Sequence, residues 1–467
     1  MARCSPFLLH LFLAALIAAD TAVGYGTSEQ RRSDARQCRM QHISTTRPCC
    51  SFKSEGGITE LWDENEDQFQ CAGVSAMRDT IQSESMTLPN YSPSPRLVYI
   101  QKGQGLMGIS YPGCPETFHS AGGAYSRREE ESEKESQKDQ HQKIHRIQQG
   151  DVVAIPPGAV HWCYNDGNEE LVVFSVTDLR NQANQLDQTE RSFFLAGGRP
   201  RGSGSEECEK GREISRMANI IQAFDANMIA DAFGIPVDLA KKMQREDERG
   251  IIVKVPKGGL RMIRPTAMEE KRERWSRDGP NPNGMEEIYC NMRIHQYLDN
   301  PREADVYSRQ AGRLYSVNMH KLPILRYIGM SAERGNLKSN VLFGPHWTIN
   351  AHTVVYITRG EGRTQIVSNE GRTLFDENVK MGDVFVIPQY FASVHKVGDN
   401  GVEWVAFKTS PVPMRSPIVG HASVFKGMPI GVITNAFRIQ ESQSQDLKCN
   451  REDQMMMFSP RRSPRIY

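Results

Sequence analysis

Three kinds of group in this 467-residue chain could do chemistry: a few histidines, a set of ten cysteines and one oddly placed Asn-Gly bond. His161 and His346 each lie near β-rich stretches, where an imidazole could ligate a metal or carry a proton. The cysteines are Cys4, Cys38, Cys49, Cys50, Cys71, Cys114, Cys163, Cys208, Cys290 and Cys449. No pair has zinc-ribbon or Cys-x-x-Cys spacing, which argues against a tetrahedral metal or a dithiol redox couple. Asn-Gly occurs twice, and both residues tolerate the positive φ of a two-residue hairpin. Asn400-Gly401 stands between FASVHKV and VEWVAFK and reads as such a hairpin. Asn283-Gly284 cannot, because the preceding KRERWSRDGPNP is charged and its prolines remove ladder donors. That stretch is polar, proline-broken and suited to a protease, which needs an exposed, extended substrate.

The elements that must position these groups are legible through repetition. RLVYIQKGQG from Arg96 resembles TVVYITRGEG from Thr353, GDVVAIPPGAVHW from Gly150 resembles GDVFVIPQYFASV from Gly382, and MIADAFGI from Met228 resembles VITNAFRI from Val432. Three blocks recurring in one order mark a tandem duplication. The spacing between copies shrinks from block to block, so the first copy carries two insertions. Their charged and Gly-rich sequences lack the apolar surface needed to fold, and they are expected as exposed loops near 126–149 and 196–213. The first two blocks read as strands; the stretch from Ser215 has apolar residues at helical spacing and reads as two or three helices. Each unit is therefore a β-rich barrel with a C-terminal helical appendage, which would grip something outside its own barrel.

The ends and the bulk composition bound the rest. Arg3 precedes the apolar run FLLHLFLAALIAA, and Ala22-Val23-Gly24 offers small residues, so residues 1–24 read as a signal peptide cut between Gly24 and Tyr25. The run is too short to cross a bilayer. Entry into the secretory pathway permits disulfides, and losing Cys4 leaves an odd number of thiols. A formal net charge of +1 provides no field for nucleic acid or membrane and little repulsion between copies.

GDVVAIPPGAVHWCYN carries Gly150, Pro156, Gly158, His161 and Asn165 at the fixed positions of the second cupin motif. The chain thus resembles the cupin family, and the resemblance implies a mainly β fold of two tandem jelly-roll barrels. Many cupins hold iron or manganese on three His and one Glu. Counting back from the glycine that closes the first motif, the Glu position holds Arg96 in copy one and Thr353 in copy two. The His pair becomes Pro89 and Tyr91, then His346 and Thr348, and the last position is His161 in copy one but Ser393 in copy two. One candidate ligand per barrel cannot hold a catalytic metal. No catalytic, cofactor or metal residue is therefore expected, and His161 and His346 are read as structural.

NGMEEIYC followed by PREAD resembles the processing signature of legumin-type (11S) seed storage globulins, and the resemblance covers the chain from Cys38 to about Lys448. It implies a secretory precursor cut by asparaginyl endopeptidase between Asn283 and Gly284, disulfides Cys38–Cys71 and Cys114–Cys290, and trimers that become hexamers after cleavage. It also implies deposition in the protein storage vacuole of the seed as a nutrient reservoir, in a class whose members are commonly allergens. Tyr289 and Asn291 depart from the usual signature. The organisation expected is an N-terminal cupin domain over 25–250, an exposed linker over 251–289, a C-terminal cupin domain over 290–450 and a flexible tail over 451–467. The alternatives are a cupin that binds a small ligand in its barrel and a metal-dependent cupin enzyme.

Overall fold

The computed structural model describes residues 40, 42–114, 116, 118–119, 140–198, 201–204, 218–245, 248–256, 259–260, 262, 264–265, 290, 292–451 and 454–459. Two antiparallel barrels pack back to back. In the first, one sheet runs Arg201–Gly204, Cys50–Ser54, Gly57–Leu61, Val74–Ile81, Leu171–Asp178, Arg96–Lys102, Asp151–Ile155 and His295–Tyr297 in spatial order. The facing sheet runs Ile144–Gln148, Gln104–Ser110, Val160–Asn165, Ser85–Thr87 and Ile252–Lys254, with Asn90–Tyr91 and Phe193–Phe194 beside it. In the second barrel Val306–Ser308, Gly312–Val317, Ser331–Leu337, Ala392–Lys408, Leu342–Thr348 and Arg415–Pro417 are neighbours in that order, and Thr353–Val367 pairs with Thr373–Lys380, Val384–Ile387 and Ala392–Lys408.

The strand blocks of the repeat are buried on both faces, and this explains their unbroken apolar character. Val152, Val153, Ala154, Val384 and Val386 are fully inaccessible. One continuous apolar cluster joins residues of both barrels. At its centre Phe174 of the first stacks on Tyr356 of the second, with ring centroids 4.0 Å apart. The Tyr356 hydroxyl donates to Gln101 Oε1 at 2.8 Å and accepts from Arg78 at 3.2 Å. The repeated glycines that close the first block are demanded by geometry. Gly103 and Gly360 have φ of 82° and 75°, and a Cβ at Gly360 would lie 2.0 Å from the Gly401 carbonyl oxygen.

Several expectations need correction. Asn400-Gly401 is not a hairpin turn. It lies inside the single strand Ala392–Lys408, where the register against Thr353–Val367 shifts near Gly360–Gly362. Gly401 has φ of 75°, so the same tolerance of positive φ that suits a hairpin serves a bulge that bends the strand from one set of partners to another. Part of each expected loop is strand. Ile144–Gln148 pairs with Gln104–Ser110 because Ile144 and Ile147 have core to enter, and Arg201–Gly204 adds to Cys50–Ser54 as an edge, through backbone bonds that leave no hydrophobic signature. The loop positions 126–139, 199–200 and 205–213 lie outside the described residues.

The boundaries shift for related reasons. Ile252–Lys254, placed in the linker, pairs with Ser85–Thr87, and Ile251, Ile252 and Val253 are buried. Met457–Phe458, placed in the tail, pairs with Leu342–Thr348 and is buried. The two halves also exchange pieces. His295–Tyr297 completes the first barrel's sheet against Asp151–Ile155. In return Ile43 enters the second barrel's core, and Thr46 bridges to Val384 with N–H to O at 2.8 Å.

The appendages are helical as expected. Ile220–Ala223, Ala226–Phe233 and Val237–Met243 follow the first barrel; Val424–Gly427, Ile430–Phe437 and Glu441–Cys449 follow the second. Asp225 caps the helix it precedes by accepting from the N–H groups of Asn227 and Met228, and Gly234 ends it with φ of 64°.

Candidate functional site

The residues at the metal positions of the two barrels have different partners, and neither set is a ligand set. In the first barrel the Arg96 guanidinium, nearly inaccessible, pairs with Glu190 at 2.8 Å and donates to Thr177 Oγ1 at 3.2 Å. Glu190 also accepts from the Ser75 hydroxyl. A cation thus occupies the place of the carboxylate that would face a metal. His161 lies opposite Asn90 in the neighbouring strand, with its Nδ1 3.3 Å from the Ala159 carbonyl. Burial, and then the charge of Arg96, push its imidazole down to about 3, so it is neutral across the physiological range. Asn165, the last fixed residue of the motif, donates to the carbonyls of Ile81 and Glu169 and accepts from the Gly167 N–H, all within 2.9 Å. It ties a turn.

In the second barrel His346, Thr348, Thr353 and Ser393 do converge, on a cavity of about 40 Å³. His346 sets its Nδ1 2.9 Å from the Gly344 carbonyl, and burial, followed by Arg415, holds it well below its ordinary value. A second imidazole, His395, has its ring 6.3 Å from that of His346 and its Nδ1 2.9 Å from Thr364 Oγ1. Burial pushes His395 down to about 4. The remaining polar lining includes Glu333, Lys396, Lys408 and Arg415. Two imidazoles, a carboxylate paired to arginine, and an ammonium are the wrong donors for iron or manganese, because each cation would repel the metal. No group of three or more His, Cys, Asp or Glu able to hold a metal occurs among the described residues. The sequence reading missed His395, Glu333, Lys408 and Arg415. His395 stands in FASVHKV, but only closure of the barrel decides which face of that strand is inside.

The cysteines fall into distinct environments. Cys114 and Cys290 form a disulfide, with Sγ–Sγ of 2.02 Å and Cα atoms 5.4 Å apart. Cys50 and Cys71 are each disulfide-bonded. The expected partner of Cys71, Cys38, lies outside the described residues, as do Asn283, Gly284, Gly24 and Tyr25. Cys163 is a buried thiol that burial keeps protonated, whereas Cys449 is exposed.

The appendages present the other notable surface. Met228, Phe233 and Leu239 on the first, and Val432, Phe437 and Leu447 on the second, are all exposed although large and apolar. A solvent-facing helix normally turns such residues inward. No helix among the described residues is long and apolar enough to cross a membrane.

The sequence profile of the Cupin family matches residues 41–200 and 296–445, the two barrels. The chain is 48% identical over 459 residues to 11S globulin seed storage protein 2 of Sesamum indicum, covering 97% of this chain and 98% of that one. The chain belongs to the 11S seed storage globulins of the cupin family. Cocosin 1 of Cocos nucifera is 42% identical over 434 residues, covering 93% of this globulin and 91% of cocosin. Among solved structures, the coconut allergen cocosin superposes with a TM-score of 0.79 at 39% identity, covering 91% of this globulin and all of that chain. Pumpkin seed globulin superposes with a TM-score of 0.77 at 36% identity, again covering 91% and 100%.

Proposed function

We propose that this 11S globulin is an inert reserve of amino nitrogen and sulfur, packed in the seed's storage vacuole and without catalytic activity of its own. The observation that carries this reading is the replacement of the metal set by Arg96, Pro89 and Tyr91 in one barrel and by Thr353, Thr348 and Ser393 in the other. The interiors then hold the fold together and offer no reactive centre. Ten cysteines and 20 methionines make the chain a sulfur store as well.

The precursor is cut after Asn283 by asparaginyl endopeptidase, and the Cys114–Cys290 bond keeps the acidic and basic chains joined, with Cys38–Cys71 closing the acidic chain. The precursor assembles as a trimer through the exposed apolar helix faces and stacks to a hexamer after cleavage. Exposed Met228 and Phe437 support this reading, since large apolar side chains at the surface of an abundant protein need a cover.

Sedimentation of the recombinant precursor before and after asparaginyl endopeptidase tests the assembly. A trimer that becomes a hexamer is expected, and a monomer in both states rejects it. The same digest on denaturing gels is expected to give one band that splits into two only on reduction, and N283A is expected to stay whole in both lanes. Turnover of a substrate traceable to a barrel interior would overturn the storage reading.

A further inference from the structure

The second barrel encloses more positive charge than its own residues neutralise. Lys408 and Glu333 are almost inaccessible and Arg415 nearly so, with side-chain exposures of 5%, 7% and 17%. Among the described residues Glu333 is the single carboxylate lining the cavity, and it is taken by Arg415, to which its Oε2 is directly paired. Burial alone would raise the Glu333 carboxyl, but Arg415 and Lys408 outweigh burial and hold it below its ordinary value. It is therefore a full anion. His346 and His395 add no negative charge, being neutral.

Lys408 is only weakly paired. Its Nζ stands 4.0 Å from Glu333 and makes one long bond, 3.4 Å, to Thr353 Oγ1, although an ammonium carries three donors. The Nε of Arg415 is buried and has no partner among the described residues. A weakly met ammonium and an unpaired Nε–H beside a cavity are costly unless an acceptor of opposite charge meets them. The first barrel shows the contrast, because there Arg96 is balanced by Glu190.

The rest of the lining limits what the acceptor can be. The cavity, about 40 Å³, is small, which favours an acceptor of a few heavy atoms over a sugar or an aromatic acid. Its walls include Val355, Ile387 and Trp404, against which a methyl or ethyl group would rest. We propose that the interior of the second barrel is a site for a small organic monoanion, a short-chain carboxylate whose oxygens meet Lys408 Nζ and Arg415 Nε while its alkyl end faces Val355 and Trp404. The proposal is independent of the storage reading and of assembly.

The test compares thermal unfolding of the full-length protein at pH 6.5 in sodium acetate, propionate, chloride and gluconate at matched ionic strength, gluconate being too large to enter. Acetate and propionate are expected to raise Tm saturably over gluconate, with chloride well behind. K408M keeps the alkyl stem and leaves Glu333–Arg415 balanced, and is expected to weaken acetate at least about tenfold, as loss of a charge-assisted bond should. Equal Tm in all four salts, chloride matching acetate, or an acetate effect unchanged in K408M would each overturn the proposal. Should K408M fail to fold, saturation transfer from wild-type aromatic protons to the acetate methyl, competed by propionate and not by gluconate, decides the matter. Its absence rejects the site.

Discussion

The buried His161 and the half-buried His395 make a quantitative prediction about acid. His161 and His395 titrate near 6.5 in the unfolded chain but near 3 and 4 in the fold, burial being the main cause in both. When the folded value lies below the unfolded one, the stabilisation is complete above about pH 6.5. It is lost as pH falls toward the folded value, because only the unfolded state takes up the proton. Between pH 7.5 and 5 each imidazole should withdraw about 2 kcal/mol, so the pair withdraws about 4 kcal/mol. His346 acts in the same direction. The assay is urea unfolding of the wild type, H161Q and H395Q at pH steps from 4.5 to 7.5 and constant ionic strength. Each variant loses some packing at every pH, so the informative quantity is the slope. Removing one such histidine should lower it by one proton, about 1.4 kcal/mol per pH unit between pH 5 and 6. An unchanged slope would mean that the imidazole protonates inside the fold, and the claim that both barrels enclose neutral histidines would fail.

Other outcomes follow from the contact between barrels and from the bulge. Y356F removes the hydroxyl that bonds Gln101 and Arg78, leaving those groups short of a partner, and should cost about 1–3 kcal/mol in urea unfolding. F174A opens the centre of the shared core, removes the stacked Tyr356 ring contact and should cost about 3–5 kcal/mol by the same measurement. G360A must place a methyl against the Gly401 carbonyl, and soluble yield should fall well below that of a control such as G371A, where φ is also positive but the added atom meets nothing.

Repetition made most of this fold legible. Val152, Val153, Val384 and Val386 form central strands buried on both sides, so their apolar runs survive in both copies and announce themselves. The replaced metal positions were equally readable, because a motif fixes them by count from Gly103 and Gly360. Edge pieces were harder. Arg201–Gly204 joins its sheet through backbone groups, which any sequence supplies, and Met457–Phe458 is a two-residue patch too short for periodicity to mark. The polar interior of the second barrel was hidden for another reason. Glu333 lies inside a strand far in sequence from Lys408 and Arg415, which stand at the ends of two successive strands, and a charged residue at a strand end ordinarily reads as solvated.

The exchange of segments bears on what the Cys114–Cys290 bond accomplishes. A cut after Asn283 divides the chain between the halves, yet the fold has already interlocked them. Ile43 and Thr46 of the first half complete the second barrel, with Arg47 paired to Asp383 at 2.7 Å, while Ile294 and His295–Tyr297 of the second half complete the first. Ile43 and Ile294 are inaccessible, and each is worth about 1.5–3 kcal/mol of burial before the shared core between barrels is added. Reduction of the cut protein under native conditions should therefore leave one particle on a sizing column, although denaturing gels show two chains. The bond should matter after unfolding instead. With it intact, the halves refold as one molecule; once it is reduced, they must find each other by collision, and recovery should fall as the protein is diluted. Separation of the chains by reductant alone, in native buffer, would show that the exchanged strands do not hold and that the disulfide is the only tie.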